Sequence, residues 1–229
     1  MAAFGAFLLA SLYRPTYAMT ARAEQQAVVF VIDDDASIRE GLAALFISIG
    51  LEARTFASAA EFLQHQMPDA PCCMVLDVRL PGLSGLDFQA ELNKSNKRIP
   101  IVFMTGHGDI PMTVRAMKAG AVEFLPKPFR DQDMLDAVQA GLEQNRDRRR
   151  RSSDTSKLKA SFDSLTAREQ EIMGLVTAGL MNKQIAGEVG ISEVTVKLHR
   201  GNVMRKMGAK SLADLVRMAD ALGLRRGDS

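Results

Sequence analysis

Residues 28–40 read VVFVIDDDASIRE: five apolar residues without alternation, three aspartates, then a stretch with helical spacing. A strand that is apolar at every position fits a parallel sheet covered on both faces, because a half-exposed strand would alternate. The same grammar repeats along the chain: VVFVI (28–32) then 36–49, LEARTF (51–56) then 58–66, CCMVL (72–76) then 84–96, IPIVFM (99–104) then 111–119, AVEFL (121–125) then 131–146. Five β-α units predict a doubly wound α/β domain around a five-stranded parallel sheet. Local signals agree, since Ser58 followed by Glu61 spells a capping box and Gly120 stands where the fourth helix should stop.

The chain has 229 residues, 47% hydrophobic and 24% charged, which is ordinary globular composition and room for two small domains. The net charge of +2 conceals an asymmetry: residues 24–143 carry 10 basic and 17 acidic side chains, whereas 157–229 carry 12 and 8. An acidic first half and a basic second half point the second half toward a polyanion. Between them lies QNRDRRRRSSDTSKLK, predicted as a frayed helix end followed by a basic flexible linker over 146–160. Its arginines Arg148–Arg151 read as solvated linker in preference to a phosphate contact. The domain boundaries are therefore 24–145 for the α/β domain and 161–229 for the second.

Cys72 and Cys73 are adjacent in an apolar run and read as buried strand residues, not as a disulfide framework or metal site. The opening MAAFGAFLLASLYRPTYA lacks a basic n-region and is too short to span a bilayer. Residues 1–23 are expected to be a disordered extension or a misassigned start, with Met19 as the first residue.

Ligands of such sheets bind beyond the carboxyl ends of the strands. The residues there are chemical: Asp33, Asp34 and Asp35 after the first strand, Asp77 after the third, Thr105 after the fourth, Lys127 and Pro128 after the fifth. Crowded carboxylates call for a hard divalent cation, and Mg²⁺, with Mn²⁺ as substitute, leaves room for phosphate oxygens. Asp77 can then act as a nucleophile toward phosphorus, with Lys127 and Thr105 compensating charge on the phosphoryl oxygens. His107, in the loop after Thr105, reads as solvated loop in preference to a group that tunes phosphate lifetime.

VVFVIDDDASIRE, VLDVRLPGLSG (75–85), VFMTGHGDIPMTVRAMKAGA (102–121) and EFLPKPF (123–129) resemble the receiver domain of two-component response regulators of the FixJ-like group, across about 24–145. The resemblance implies a flavodoxin-like strand order 2-1-3-4-5, phosphorylation of Asp77, and a metal held by Asp33, Asp34, Asp77 and the backbone carbonyl of Arg79. It also implies a cis peptide before Pro128 and a rotameric switch at Phe124, whose ring turns inward as Thr105 moves toward the phosphate.

Beyond the linker the signals are helical: 166–178, 182–189, 192–207 and 211–222, separated by Gly179, Gly190 and Gly208, with Thr166, Ser192 and Ser211 at N-cap positions. Ile185, Ala186 and Val189, a turn at Gly190, then Ile191, Val194, Val196, Val203 and Met207 spell two helices packed across a tight turn. Lys197 and Arg200 on the second helix are the expected base readers, with Arg205 and Lys206 beside them. Residues 164–219 resemble the LuxR-type helix-turn-helix. That resemblance adds Leu198 and Gly201 to the reading face and Asn182, Lys183, Ser192, Thr195, His199 and Asn202 as backbone-contacting or capping residues. Gly201 is smaller than the side chain many relatives carry there.

Two other readings are weaker. Asp33-x-Asp35-x-Ser37 imitates the opening of haloacid-dehalogenase-like phosphatases, but Lys127-Pro128-Phe129 stands where their later acidic pair is needed. An autoinducer pocket is poorly served by a chain without Trp whose only tyrosines are Tyr13 and Tyr17. The expectation is a cytoplasmic transcription regulator, not an enzyme beyond its own phosphotransfer and dephosphorylation. Its expected partners are a sensor histidine kinase, double-stranded DNA, a second copy of itself on phosphorylation, and RNA polymerase, with no membrane.

Overall fold

The computed structural model describes residues 26–95, 98–106 and 110–224. The expectations for residues 1–23 and for His107 lie outside these. The first domain alternates β1 (Val28–Ile32), α1 (Ala36–Ser48), β2 (Glu52–Phe56), α2 (Ala59–Leu63), β3 (Cys72–Asp77), α3 (Gly85–Lys94), β4 (Ile101–Thr105), α4 (Ile110–Lys118), β5 (Glu123–Pro126) and α5 (Asp131–Asp163). All strand pairs are parallel and the sheet order is β2-β1-β3-β4-β5.

Successive strand residues point to opposite faces, so the continuous apolar runs feed two cores at once. Phe30, Met74, Leu76 and Phe103 pack with Phe62, Phe88 and Ala116 of α2, α3 and α4. Val29, Val31, Val75 and Met104 pack on the other face with Phe46 of α1 and Met134, Val138 and Leu142 of α5. Helix α5 lies close to β3 because position 141 is glycine: a Cβ there would come within 2.5 Å of Cys73 Sγ. Both cysteines are buried and unpaired by disulfide, and burial pushes the Cys73 thiol well above its ordinary range. The capping signal at Ser58 is present in modified form: its side chain accepts from Glu61 N, while the Glu61 carboxylate accepts from Ala57 N.

The flexible linker expected over 146–160 is not what the structure shows. Those residues continue α5, a 33-residue helix, without a break. Its buried residues Met134, Ala137, Val138, Gly141, Leu142 and Asn145 form the stripe against the sheet. Leu158 and Phe162, farther along, pack against the core of the second domain. Nucleation is the costly step of helix formation, and here both ends are held by tertiary packing, so the charged middle only propagates. It contains neither Gly nor Pro between Leu142 and Asp163, and arginine is a good helix former.

The second domain adds α6 (Ala167–Thr177), α7 (Asn182–Val189), α8 (Glu193–Met207) and α9 (Leu212–Ala221). Thr166 and Glu169 close a reciprocal capping box, Ser192 accepts from Thr195 N, and Ser211 accepts from Asp214 N. The turn from α7 into α8 passes through Gly190 at φ 66°, in the left-handed region that glycine enters without strain. Ile172, Met173, Ile185, Val196, Val203, Met207 and Leu215 make the core. Among the described residues, no helix is long and apolar enough to cross a membrane.

Candidate functional site

The parallel sheet delivers the ends of β1, β3, β4 and β5 to one edge. Asp33 follows β1 and is 1% exposed, Asp77 ends β3 at 7%, and Thr105 ends β4 fully buried. Lys127 reaches this group because its amide donates to the Thr105 carbonyl at 2.7 Å, extending the β4–β5 pairing by one residue. The Lys127–Pro128 peptide is cis. Lys127 Nζ donates to Asp33 Oδ2 and to Asp77 Oδ2, both at 2.7 Å. Each carboxylate uses its second oxygen to accept a backbone amide two residues on, Asp33 Oδ1 from Asp35 N and Asp77 Oδ1 from Arg79 N, both at 2.8 Å. One oxygen of each aspartate is thus fixed by its own turn and the other by a shared ammonium.

The backbone beneath Asp77 is equally constrained. A Cβ on Gly85, the first residue of α3, would come within 2.4 Å of the Asp77 carbonyl oxygen, so only glycine lets the helix start this close. Arg39 of α1 turns back to donate from Nη1 to the Asp33 carbonyl at 2.7 Å. The sequence reading did not include Arg39 or Gly85. No spacing rule marks either: one contact comes from a helix folding back over its own N-terminus, the other from a close crossing.

Burial raises the Asp33 pKa, opposed by the hydrogen bond from Lys127. Burial also works against the Lys127 charge, but its two carboxylate partners outweigh it and the ammonium pKa is raised. Asp33, Asp34 and Asp77 each offer a carboxylate oxygen within 4.8 Å of the others, Asp34 from an exposed position. Three anionic oxygens facing one ammonium leave a negative site made of hard donors, which fits a divalent oxygen-seeking cation. Asp35 does not join them: its carboxylate accepts from Ser37 N at 2.8 Å and caps α1. That removes the Asp33/Asp35 pair on which the phosphatase reading depended. Phe124 is 8% exposed and already turned inward, its ring 6.1 Å from that of Phe103.

In the second domain α8 presents a single outward stripe. Glu193, Val194, Lys197, Leu198, Gly201 and Arg205 are exposed, while Val196, Val203 and Met207 face the core. Positions 194, 197, 198, 201 and 205 follow helical spacing, so they line one side. Val194, expected as a packing residue, is 79% exposed because it falls on this stripe. A Cβ at Gly201 would meet open space.

Two expected DNA-facing groups are engaged elsewhere, and a third is half-buried. Lys206 Nζ donates to Glu169 Oε2 at 2.6 Å, binding α8 to α6. Arg200, half-buried, donates to Asn182 Oδ1 at 2.5 Å, binding α8 to α7. His199 is half-buried, with Nδ1 enclosed. The inward register of α8 that buries Val196 and Val203 brings these side chains onto the flanks, away from its outer face. Ser192 and Thr195 are joined at 2.8 Å across the α8 cap, and Lys183 on α7 is exposed.

Comparison with known proteins gives two family matches. The response regulator receiver domain matches residues 29–139, and the bacterial regulatory proteins of the luxR family match residues 163–219. Nodulation protein W of Bradyrhizobium diazoefficiens is 59% identical over 202 residues, 88% of this chain and 89% of that protein. Transcriptional regulatory protein FixJ of Azorhizobium caulinodans is 44% identical over 200 residues, 87% of this chain and 95% of that protein. Among solved structures, the response regulator StyR is 54% identical with TM-score 0.77, covering 85% of this chain and 98% of that one.

Proposed function

The chain belongs to the FixJ-like two-component transcriptional response regulators, and from that premise we propose that Asp77 is its phosphoacceptor and that the exposed stripe of α8 is its DNA-reading face. The observation that carries the first assignment is the Lys127 ammonium held 2.7 Å from both Asp77 and Asp33. Asp77 combines a carboxylate less deeply buried than Asp33 (7% against 1% exposed), a fixed counter-charge and neighbouring acidic oxygens.

In the reaction, a carboxylate oxygen of Asp77 forms a bond to the phosphorus of a phosphoimidazole on the sensor kinase. The P–N bond breaks, its electron pair returns to the imidazole nitrogen, and the product is an acyl phosphate on Asp77. Lys127 exchanges its contact with the carboxylate for one with a phosphoryl oxygen, and the Thr105 hydroxyl at the neighbouring strand end donates to another. Asp33, Asp34, Asp77 and the Arg79 carbonyl would hold Mg²⁺ or Mn²⁺, which supplies electrostatic stabilisation of the phosphoryl oxygens when bound.

On DNA, Lys197 and Leu198 reach base edges in the major groove, with Gly201 giving the duplex close approach and Val194 offering apolar contact. Arg205, Lys183, Ser192 and Thr195 hold the backbone. Asn182, His199, Arg200 and Lys206 act indirectly, by fixing α8 against α7 and α6. Phosphorylation favours a dimer through α4, β5 and the start of α5, and the DNA-bound dimer acts on RNA polymerase.

Acetyl phosphate labelling followed by intact mass tests the phosphoacceptor. Asp77→Asn is expected to abolish the phosphoryl adduct, and an undiminished adduct on that variant would overturn the assignment.

A further inference from the structure

The shaft of α5 between the two cores carries Arg146, Arg148, Arg149, Arg150, Arg151, Lys157 and Lys159 against Asp147 and Asp154. A flexible linker would scatter these charges; a helix fixes them. At about 100° per residue, the five arginines place a guanidinium on nearly every side of the shaft. Few are neutralised internally: Arg149 pairs with Asp69, and Lys157 meets Asp154 only at 3.9 Å. Arg148 packs against the base of the first domain near Arg98 and Arg149, where burial and these like charges lower its pKa. Like charges gathered in this way favour an anion beside them.

The helix also determines which anion is near. Its last turns are part of the second domain: Leu158 and Phe162 join that core, and the Ser164 carbonyl at its C-cap accepts from Lys206 of α8 at 3.4 Å. From Arg151 to Ser164 the rise of an α-helix gives about 20 Å, roughly six base pairs of B-form duplex at 3.4 Å each. We propose that the arginine shaft of α5 is a second DNA-contact surface, binding the phosphate backbone that flanks the site read by α8. The shaft adds affinity without sequence preference, because guanidinium–phosphate contacts carry no base information. Its tether to α8 makes the second contact intramolecular. The inference rests on the DNA-reading assignment of α8.

The test uses the full chain treated with acetyl phosphate and Mg²⁺, and a duplex selected by that protein from a random pool. The duplex is prepared in two lengths, trimmed to the bases that selection holds constant or extended by about one helical turn on each side. Exchanging Arg146, Arg150 and Arg151 for Gln spares the Asp69 pair and keeps good helix formers. On the extended duplex this variant is expected to bind about tenfold or more weakly, with the slope of log K against log salt reduced by about two to three for each bound chain, at roughly 0.9 per lost contact. On the trimmed duplex it should match the wild type. The corresponding triple Lys variant keeps the charge and should retain wild-type behaviour on both.

An unchanged slope on the extended duplex, an equal loss on both lengths, or a Lys variant as weak as the Gln variant would each overturn the proposal. If the wild-type chain enriches no sequence from the pool, the assignment of α8 itself fails and this inference falls with it. Equal wild-type affinity for the two lengths sinks only the shaft.

Discussion

Lys127 Nζ stands between Asp77 Oδ2 and Asp33 Oδ2 at 2.7 Å from each, bridging two strand ends that would otherwise repel. If Asp77 is the phosphoacceptor as proposed, a phosphoryl group on it would compete for this ammonium, and activation would be an exchange of partners for Lys127.

That exchange has a measurable consequence for stability. Lys127→Met leaves two buried carboxylates without their shared counter-charge, at a cost of about 3 kcal/mol, the usual effect of removing one partner of a buried pair. Millimolar Mg²⁺ is expected to raise the melting temperature of this variant more than that of the wild type, because the cation then answers an uncompensated charge. Equal shifts in the two proteins, read by thermal unfolding with and without Mg²⁺, would contradict the electrostatic account.

Most of this edge was legible from the sequence because the chemistry falls immediately after each apolar run, and the parallel sheet collects those positions by construction. Asp33, Asp34, Asp77, Thr105 and Lys127 needed no more than counting. Arg39 was not legible, since its contact with the Asp33 carbonyl depends on how α1 leaves its cap. The Glu169–Lys206 pair joins residues 37 apart through the packing of α6 on α8, and from the text alone Lys206 read as a DNA-binding residue. The course of α5 was hidden for a related reason. A charge run passing into serine and threonine has linker composition, and only anchorage at both ends makes it a helix.

The Glu169–Lys206 pair gives a pH dependence with a definite sign. The hydrogen bond from Lys206, followed by the Thr166 amide, lowers the Glu169 pKa. A carboxylate whose folded pKa is depressed contributes stability that is present above its unfolded value, about 4.3, and is lost as pH falls through the folded value. Glu169→Gln should therefore destabilise the second domain at neutral pH by about 2 kcal/mol and flatten its loss of stability on acidification. Urea unfolding followed by circular dichroism from neutral pH to about pH 3 measures both, with the unfolded carboxylate value as the reference. A variant that keeps the wild-type acid slope would show that the pair is not its source.

The same pair separates two kinds of lysine on α8. Lys197 is exposed on the outer stripe, whereas Lys206 is committed to Glu169. Lys197→Ala is expected to reduce the preference for the best duplex over a scrambled one by about 1–3 kcal/mol. Lys206→Met should lower stability while leaving the salt slope of the folded protein nearly unchanged. Binding to both duplexes across a salt series decides: a slope that falls by about one for the Lys206 variant would return this residue to the phosphate backbone.

The last prediction concerns assembly. On α4, Ile110 is 81%, Val114 44% and Met117 41% exposed, an apolar group on one of the elements proposed above for the phosphorylation-promoted dimer. Met112, on the same helix, is partly buried against the core. Phosphate can drive pairing only if it favours the paired state, and the relay we propose is Thr105 at the end of β4 with Phe124 on β5, the strands that precede and follow α4. Phe124 is inward here, so the switch reading requires the outward rotamer to be populated in unphosphorylated protein. Sedimentation of labelled and unlabelled chain at equal concentration should show more dimer after labelling. Val114→Glu should abolish that increase with the acyl phosphate intact, because two like charges would face each other across a symmetric interface. Thr105→Ala should permit labelling and leave the monomer–dimer distribution unmoved. If labelled and unlabelled wild type sediment alike while duplex affinity still rises, dimerisation is not the output. Control would then pass along α5, whose first turns pack on the sheet and whose last turns pack on the second domain.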